Sequence, residues 1–413
     1  MVGKSLSSRR SDWFTVAALF CAAAVFRLTG CGTDLDPNPQ DGFDRNAMLA
    51  STTQGAILPT YEDFRLEALS LQAATNEWWE AREDGLEGLD ELELARDAWR
   101  SAMEAWQRAE VMQLGPSGAT GKFTGAMDLR DEIYSWPTVN PCRIDQEIVA
   151  LDWDSEEFFT ANLVNVYGLD ALEYLLFVDG ADNSCPPQVA INADPDPTKR
   201  WSAIPSEEIQ WRRSSYAFSL SIGLVAHADS LIAAWTEPDG FSTGLASAGA
   251  EGSPFLDLSA AMDDLFASLF YLETELKDRK LAEPLGLVNC GNEWCPEALE
   301  SPHADFALEN VRANLEGGLI LYLGGPDEED IGLEELLVHN EYADLDAEIQ
   351  AGFANAFVVI DAVALSASAQ LEQDPEVLLG VHAAVKVVTD LLKGDMATAL
   401  LLQIPLEAAN DND

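Results

Sequence analysis

The chain has 413 residues, of which 72 are Asp or Glu and 23 are Lys or Arg, so its formal net charge is -49 at pH 7. This acidic excess excludes nucleic acid as a partner, because binding to phosphates requires a surplus of Lys and Arg. Two explanations of the charge stay open, namely solubility in a salty medium and the capture of cations. The length predicts two or three domains.

The first 30 residues have the pattern of an export signal. Basic residues come first, and an apolar run from Phe14 to Phe26 follows that is too short to span a bilayer as a mature helix. The run ends in Leu28-Thr29-Gly30-Cys31, which resembles the lipobox of bacterial lipoproteins, where the Cys is lipidated and becomes the first mature residue. Residues 1–30 are therefore predicted to be a lipoprotein signal peptide, with Cys31 as the lipidated residue.

Residues 31–58 begin with a polar, Pro-containing stretch and are predicted to form a flexible tether. Gly32, rather than Asp, follows Cys31, which favours the outer membrane over retention in the inner membrane. We therefore expect an exported lipoprotein that is attached to the outer membrane through its N-terminal lipid, on the periplasmic face or on the cell surface.

The cysteine content agrees with export. Outside the signal and Cys31, four cysteines remain: Cys142, Cys185, Cys290 and Cys295. Four cysteines allow three pairings, and the spacing favours Cys142–Cys185 and Cys290–Cys295, each within one half of the chain. The alternative is a zinc site that uses Cys290, Cys295 and His303, although no fourth ligand is apparent.

Helical periodicity dominates from residue 60 to residue 405. Apolar residues recur at three- and four-residue steps, as in the series Leu92, Ala95, Trp99, Met103 and Trp106. Further helices are predicted near 61–80, 124–135, 155–178, 204–236, 255–282, 302–323, 331–371 (broken around Asn340) and 374–403. No β-branched residues alternate with polar residues for long enough to indicate a sheet. The sequence therefore predicts an all-α protein.

A stretch rich in Gly, Ser and Pro at 239–254 predicts a linker near the middle of the mature chain. It separates an N-terminal helical bundle, expected at 59–238, from a C-terminal helical bundle, expected at 255–405. Each side holds four or more predicted helices, which is enough for one bundle.

The segment Gly168–Phe177 places Asp170 and Glu173 three residues apart in an otherwise apolar helix. Side chains at i and i+3 lie on one helix face, so both carboxylates are expected to point at the same feature. Acids on so apolar a face are usually paired, bound to a metal or placed at a groove. The alternative to ligand binding is a buried pair that is bonded to Arg143, to Arg212 or to a helix N-terminus.

Four segments, in this order along the chain, resemble conserved pieces of the imelysin family of bacterial envelope proteins. The family is classed among metallopeptidases and linked to iron uptake. The segments resemble its first long helix and the stop that follows, its Trp-Pro turn, its Gly-x-His-x-x-Glu helix and its Lys-Leu-Ala-x-Pro-Leu-Gly turn; they are Ala98–Pro116, Ser135–Asp145, Gly168–Leu176 and Asp278–Gly286. The resemblance spans about residues 60–405. It implies two helical bundles, related by an ancient internal duplication, with the motif helix lining a groove between them.

The resemblance also implies a metal site. Gly168 and Glu173 match the family motif, whereas Asp170 stands where the motif has His. A carboxylate in place of imidazole shifts the preference from zinc toward hard cations such as iron or calcium. The implied ligands are Asp170 and Glu173, with Asp145 as a candidate third.

The expected function is that of an imelysin-like envelope lipoprotein that binds a cation or assists iron uptake. Iron is the expected cation. One alternative is a metallopeptidase of the imelysin class. The substitution at Asp170 weakens that alternative, because a catalytic metal normally has three protein ligands and an open position. A second alternative is a non-catalytic interaction partner of an outer-membrane transporter.

Overall fold

The structure, a computed structural model, describes residues 41–155 and 157–405. Every regular element in these two ranges is helical, so the predicted all-α class is confirmed. The α-helices of the described residues are α1 (Arg45–Thr52), α2 (Leu58–Glu83), α3 (Leu89–Glu110), α4 (Leu129–Ile133), α5 (Pro141–Ala150), α6 (Phe158–Ala161), α7 (Leu169–Phe177), α8 (Ala190–Ala193), α9 (Ser206–Thr236), α10 (Phe241–Ala246), α11 (Leu258–Leu269), α12 (Ala307–Leu323), α13 (Leu333–His339), α14 (Ala343–Asp361), α15 (Ala367–Gln373), α16 (Pro375–Asp390) and α17 (Ala397–Leu400).

Wider, π-helical turns and tighter, 3₁₀ turns connect several of these helices. The π-helical segments are Thr53–Ile57, Leu272–Ala282 and Leu391–Met396. The 3₁₀ turns are Gly115–Ser117, Val164–Val166, Pro197–Lys199, Trp201–Ala203 and Pro296–Ala298.

The N-terminal half is built around α2, α3 and α9, which pack side by side. The predicted apolar stripe of α3 faces the core, and its largest members, Trp99 and Trp106, are fully buried. The Trp106 ring packs against Phe64 of α2, with 4.8 Å between ring centroids. The two tryptophans are therefore core residues, and their burial orients α3 in the bundle.

The C-terminal half contains α12, α14, α16 and the π-helical segment Leu272–Ala282, which pack on one another. Helix α12 also packs on α3 of the N-terminal half. At the crossing a Cβ atom on Gly317 would lie 2.2 Å from the carbonyl oxygen of Arg108, so only glycine permits this approach. The buried apolar side chains of both halves accordingly form one continuous cluster.

Segment 239–254, the predicted linker, contains the short helix α10. Its Phe241 is buried against Trp235, with 4.9 Å between ring centroids. The division into two domains at this segment, and the internal duplication, stay predictions.

The predicted tether extends too far. The signal peptide, Cys31 and the residues up to 40 lie outside the described residues, but helix α1 starts at Arg45 and continues into α2 through a π-helical turn. Met48 and Leu49 are completely buried, and Asp44 caps α1 by accepting a hydrogen bond from the Ala47 N–H. The apolar residues after position 45 thus anchor this part of the predicted tether in the core. The prediction relied on the polar residues at the start of the segment and therefore extended too far.

Other helix boundaries also differ from prediction. The run predicted at 124–135 contains only α4, and the run at 155–178 is divided into α6, a 3₁₀ turn and α7. The predicted break near Asn340 is confirmed, because α13 ends at His339 and α14 starts at Ala343.

Both predicted disulfides are confirmed. Cys142 is bonded to Cys185, and Cys290 is bonded to Cys295. The zinc alternative is wrong, because the two sulfurs that it requires are bonded to each other and are not available as thiolates.

Candidate functional site

Helix α7 carries the acidic pair and directly follows a glycine that the geometry requires. Gly168 has φ = 91°, and a Cβ atom there would lie 2.8 Å from the carbonyl oxygen of Ile133. The indole N–H of Trp99 donates to the carbonyl oxygen of Leu169 at 2.8 Å, which ties the first turn of α7 to α3. These contacts fix the position from which the two acids project.

Asp170 and Glu173 both lie in the interior, with exposed fractions of 2% and 3%. The Ser135 hydroxyl donates to Oδ2 of Asp170 at 2.8 Å, and the Ala171 N–H donates to Oδ1 at 2.9 Å. Ser135 belongs to the turn before α5, which resembles the Trp-Pro turn of the imelysin family. Asp170 is therefore held from the N-terminal half of the chain.

Glu173 is held from the C-terminal half. The backbone N–H groups of His303 and Ala304 both donate to its Oε1 atom, at 2.8 Å and 2.9 Å. Its other oxygen, Oε2, accepts no hydrogen bond from the part of the chain that the structure describes. One carboxylate oxygen is thus fixed, while the other is available to a ligand.

Burial dominates the titration of both acids, because a carboxylate that leaves water loses solvation. It raises the pKa of Asp170 to about 7 and the pKa of Glu173 to about 8. Within residues 41–155 and 157–405, neither acid forms an ion pair with a basic side chain. Arg143 pairs with Glu147 instead, and Arg212 pairs with Glu208, so the proposed pairing of the two acids with these arginines does not occur.

A cavity of about 500 Å³ opens beside the pair. Asp170 and Glu173 form part of its lining together with rings, prolines and aliphatic side chains. The other lining residues are Trp136, Pro137, Val139, Pro141, Tyr174, Arg279, Glu283, Asn289, Glu297, Ala298, Leu299, Pro302 and His303. Asp170 and Glu173 therefore face one feature, as their spacing predicts, and both halves of the chain contribute residues to this cavity.

Asp145, the candidate third ligand, is placed elsewhere. It is fully buried, accepts hydrogen bonds from the Tyr174 hydroxyl at 3.0 Å and the Ser184 N–H at 2.6 Å, and is not part of the cavity lining. Burial raises its pKa to about 6. In the described ranges, no group of three or more His, Cys, Asp or Glu side chains is arranged to hold a metal ion. The geometry therefore offers a pair of carboxylates and not a complete ligand set.

A buried charge network lies next to the site and was missed by the sequence analysis. The Lys280 ammonium lies 2.9 Å from Glu300 and 3.5 Å from Glu110, and Arg130 lies 2.5 Å from Glu110. Two acids and two bases make this network neutral when all four are ionised. Lys280 belongs to the turn that resembles the family's Lys-Leu-Ala-x-Pro-Leu-Gly motif. This resemblance was the one feature of the sequence that could have drawn attention to Lys280.

The network supports both walls of the cavity. The Tyr134 hydroxyl donates to Glu300 at 2.7 Å, and Tyr134 directly precedes Ser135, which holds Asp170. Glu300 also lies three residues before His303, and the backbone N–H of His303 donates to Glu173. One buried carboxylate is therefore connected to the segments that position both acids.

The fold and the site define this protein as an all-helical protein with two buried acids in the lining of a cavity. The sequence profile of the imelysin family matches residues 57–393, and the chain belongs to that family. Iron-regulated protein A of Synechococcus elongatus is 22% identical over 333 residues, which cover 78% of this chain and 77% of the relative.

Two solved structures share the fold. One, described as an iron-regulated protein A precursor from Parabacteroides distasonis, has a TM-score of 0.64 and 18% identity, covering 86% of this chain and 95% of that one. The other, an imelysin-like protein from Psychrobacter arcticum, has a TM-score of 0.65 and 15% identity, covering 88% and 97%. At these identities the likeness concerns the fold alone.

Proposed function

We propose that this imelysin-family protein binds a cation on the Asp170–Glu173 floor of the cavity, with iron as the expected metal, and assists iron uptake. One observation carries the proposal: two carboxylates, both nearly inaccessible, face a cavity without an ion-pair partner in the described chain. The name of the Synechococcus relative, iron-regulated protein A, supports the connection to iron.

Electrostatics favours a positive ligand at this position. Burying an unpaired carboxylate is costly, and a bound cation removes that cost. Lys280 and Arg130 are the nearby buried bases, but Glu110 and Glu300 already pair with them. Asp170 and Glu173 thus have no basic partner among the described residues, and a bound cation would replace the protons that their raised pKa values retain near neutral pH.

The donor atoms decide which cations fit. Both side chains offer oxygen, which suits iron or calcium better than zinc. Two carboxylates leave most coordination positions of such an ion to atoms from outside the protein, as expected for a cargo ion that must also be released. The same shortage of ligands argues against the metallopeptidase alternative, since a catalytic metal is normally held by three protein side chains.

The proposal includes export and anchoring. The N-terminal signal pattern and the lipobox-like Leu28–Cys31 support a lipid on Cys31 and attachment to the outer membrane. The word precursor in the description of the Parabacteroides protein agrees with export. An outer-membrane transporter would be the natural partner, because a tethered cation-binding protein can hand its cargo to such a transporter.

Metal titration of the purified protein tests the binding function. Wild-type protein should bind Mn²⁺, a redox-stable substitute for Fe²⁺, and Glu173→Gln and Asp170→Asn should each weaken binding about 10- to 100-fold. Glu147→Gln is the matched control, because Glu147 is also a buried acid and lies outside the cavity lining. Equal Mn²⁺ affinity in wild type and Glu173→Gln would show that this pair is not the ligand set.

A further inference from the structure

The acidic pair cannot complete the coordination of a hard cation. Such ions take about six to eight oxygen ligands. Asp170 uses both of its oxygens in hydrogen bonds, and Glu173 uses Oε1 for two backbone N–H groups. Even with every remaining lone pair engaged, most donor atoms must come from water or from a molecule that arrives with the ion.

The size of the cavity distinguishes between these two sources. Water occupies about 30 Å³ per molecule in the liquid, so six waters around an ion fill roughly 180 Å³. The cavity has about 500 Å³, well beyond that shell. Volumes of about 300–1,000 Å³ are typical of sites for small organic molecules. The space is therefore suited to an ion together with an organic carrier.

The walls favour the organic carrier over additional water. Beyond the acids, the lining is largely rings and aliphatic side chains, among them Trp136, Val139, Tyr174 and Leu299. Apolar walls offer water few hydrogen bonds, whereas burying organic groups against them is favourable. A hydrated ion without an organic ligand would have no apolar groups to bury against these walls.

Charge restricts the carrier further. Four carboxylates line the cavity, namely Asp170, Glu173, Glu283 and Glu297, against the single guanidinium of Arg279. That guanidinium is itself paired with Glu275 at 2.8 Å. An anionic complex would be repelled, so the whole complex must be neutral or positive.

We infer that the cavity takes a metal ion bound to a small organic oxygen chelator, as a positively charged complex with open coordination positions that Asp170 and Glu173 fill. The inference rests on the proposed cation site and names its substrate class. On binding, two metal–water bonds break and two metal–carboxylate bonds form. The metal keeps its oxidation state, and the two waters leave to solvent together with any protons held by the two carboxyl groups.

Ferric acetohydroxamate complexes provide the test, because their charge and open positions can be chosen. The bis complex carries one positive charge and has two exchangeable waters, whereas the tris complex is neutral and has none. Wild-type protein should bind the bis complex about ten-fold more tightly than the tris complex and shift its visible charge-transfer band. Equal binding of the two complexes would overturn the inference.

Variants that fill the cavity separate the carrier from the ion. Ala298→Trp and Val139→Trp place an indole on different walls and leave both acids in place. Each should weaken binding of the bis complex about ten-fold or more while Mn²⁺ binding is retained. Ala347→Trp, which adds the same indole at an exposed position of α14 outside the cavity lining, should change neither. Thermal unfolding checks that each variant is folded. If one of the two Trp variants does not fold, the other carries the test.

The outcomes also separate this inference from the function on which it rests. If Mn²⁺ binds and depends on Glu173 but the bis complex is insensitive to both wall variants, the chelate is excluded and the cation site stands. If the wild type binds neither Mn²⁺ nor the bis complex, both the cation site and the chelate are excluded.

Discussion

The ammonium of Lys280 lies 2.9 Å from a carboxylate oxygen of Glu300, and each side chain is only 1% exposed. The pair joins the π-helical segment Leu272–Ala282 to the segment that supplies the N–H donors of Glu173. Lys280 also donates to Gln107 of α3 at 2.5 Å and to Asn314 of α12 at 2.9 Å. One ammonium therefore connects both halves of the chain beside the cavity.

Lys280→Met should destabilise the protein strongly. The substitution leaves Glu300 without its ammonium and Glu110 with Arg130 alone, and breaking a buried ion pair typically costs about 3–5 kcal/mol. Chemical denaturation would measure the change in the free energy of unfolding. Lys386→Met is the control: its pair with Asp390 is much more exposed, so a change of about 0–1 kcal/mol is expected. Similar losses in the two variants would contradict the structural role of Lys280.

Ser135→Ala should weaken cation binding without changing either proposed ligand. The hydroxyl orients Asp170, and loss of such a supporting contact typically costs about 10- to 100-fold in metal affinity. The measurement is a Mn²⁺ titration by calorimetry. Ser221→Ala offers a matched control, since Ser221 is also fully buried and bonds Thr75 at 2.9 Å, outside the cavity lining. An unchanged affinity in Ser135→Ala would mean that Asp170 does not need this contact.

Asp170→His should change the metal preference. The substitution introduces the imidazole that the imelysin motif has at this position, and imidazole favours zinc over hard cations. Competition between Zn²⁺ and Mn²⁺ should therefore shift toward Zn²⁺ relative to wild type. Asp170→Asn separates loss of charge from gain of imidazole, because it should weaken Mn²⁺ without a comparable gain for Zn²⁺. The same selectivity in all three proteins would place the metal elsewhere.

Glu334→Gln should remove part of the pH dependence of stability. Burial raises the pKa of Glu334 to about 9, so between the ordinary carboxyl range and pH 9 the folded state holds a proton that the unfolded state has lost. Wild-type stability should therefore fall as the pH rises through this window, and the Gln variant should fall less. Thermal unfolding at pH 5 and pH 8 checks the slope. The exposed Glu328→Gln serves as control, and a slope in Glu334→Gln equal to that of wild type would be inconsistent with a protonated Glu334.

The two disulfides should contribute unequally. Cys142–Cys185 spans 43 residues and Cys290–Cys295 spans 5, so chain entropy predicts stabilisation of about 4 and about 2 kcal/mol. The double variants Cys142→Ser with Cys185→Ser, and Cys290→Ser with Cys295→Ser, would be compared by chemical denaturation. A larger loss from the second pair would show that local packing, and not loop closure, sets the difference.

Local patterns in the sequence were sufficient to predict the all-α class, the long helices and the acidic pair. The three-residue spacing of Asp170 and Glu173 places both on one face of α7, and the structure has both lining one cavity. The stripe through Trp99 and Trp106 predicts the buried face of α3. These predictions succeed because helical periodicity depends only on neighbouring residues.

Contacts between distant residues could not be predicted in the same way. Lys280 pairs with Glu110, which lies far away in the sequence, and nothing in either neighbourhood indicates the partner. The π-helical turns that precede α2 and contain Lys280 likewise leave no periodic signal. Asp145 was expected at the site because its turn resembles the family, but its side chain points to Tyr174 and Ser184.

The donors to Asp170 and Glu173 come from residues 135 and 303, on opposite sides of the chain's midpoint. A fragment that ends before residue 300 would lack the backbone amides that fix Glu173, and a fragment that begins after residue 180 would lack both acids. The proposed cation binding would consequently be a property of the complete fold, so copies truncated or proteolysed between these two segments would not compete for the ion.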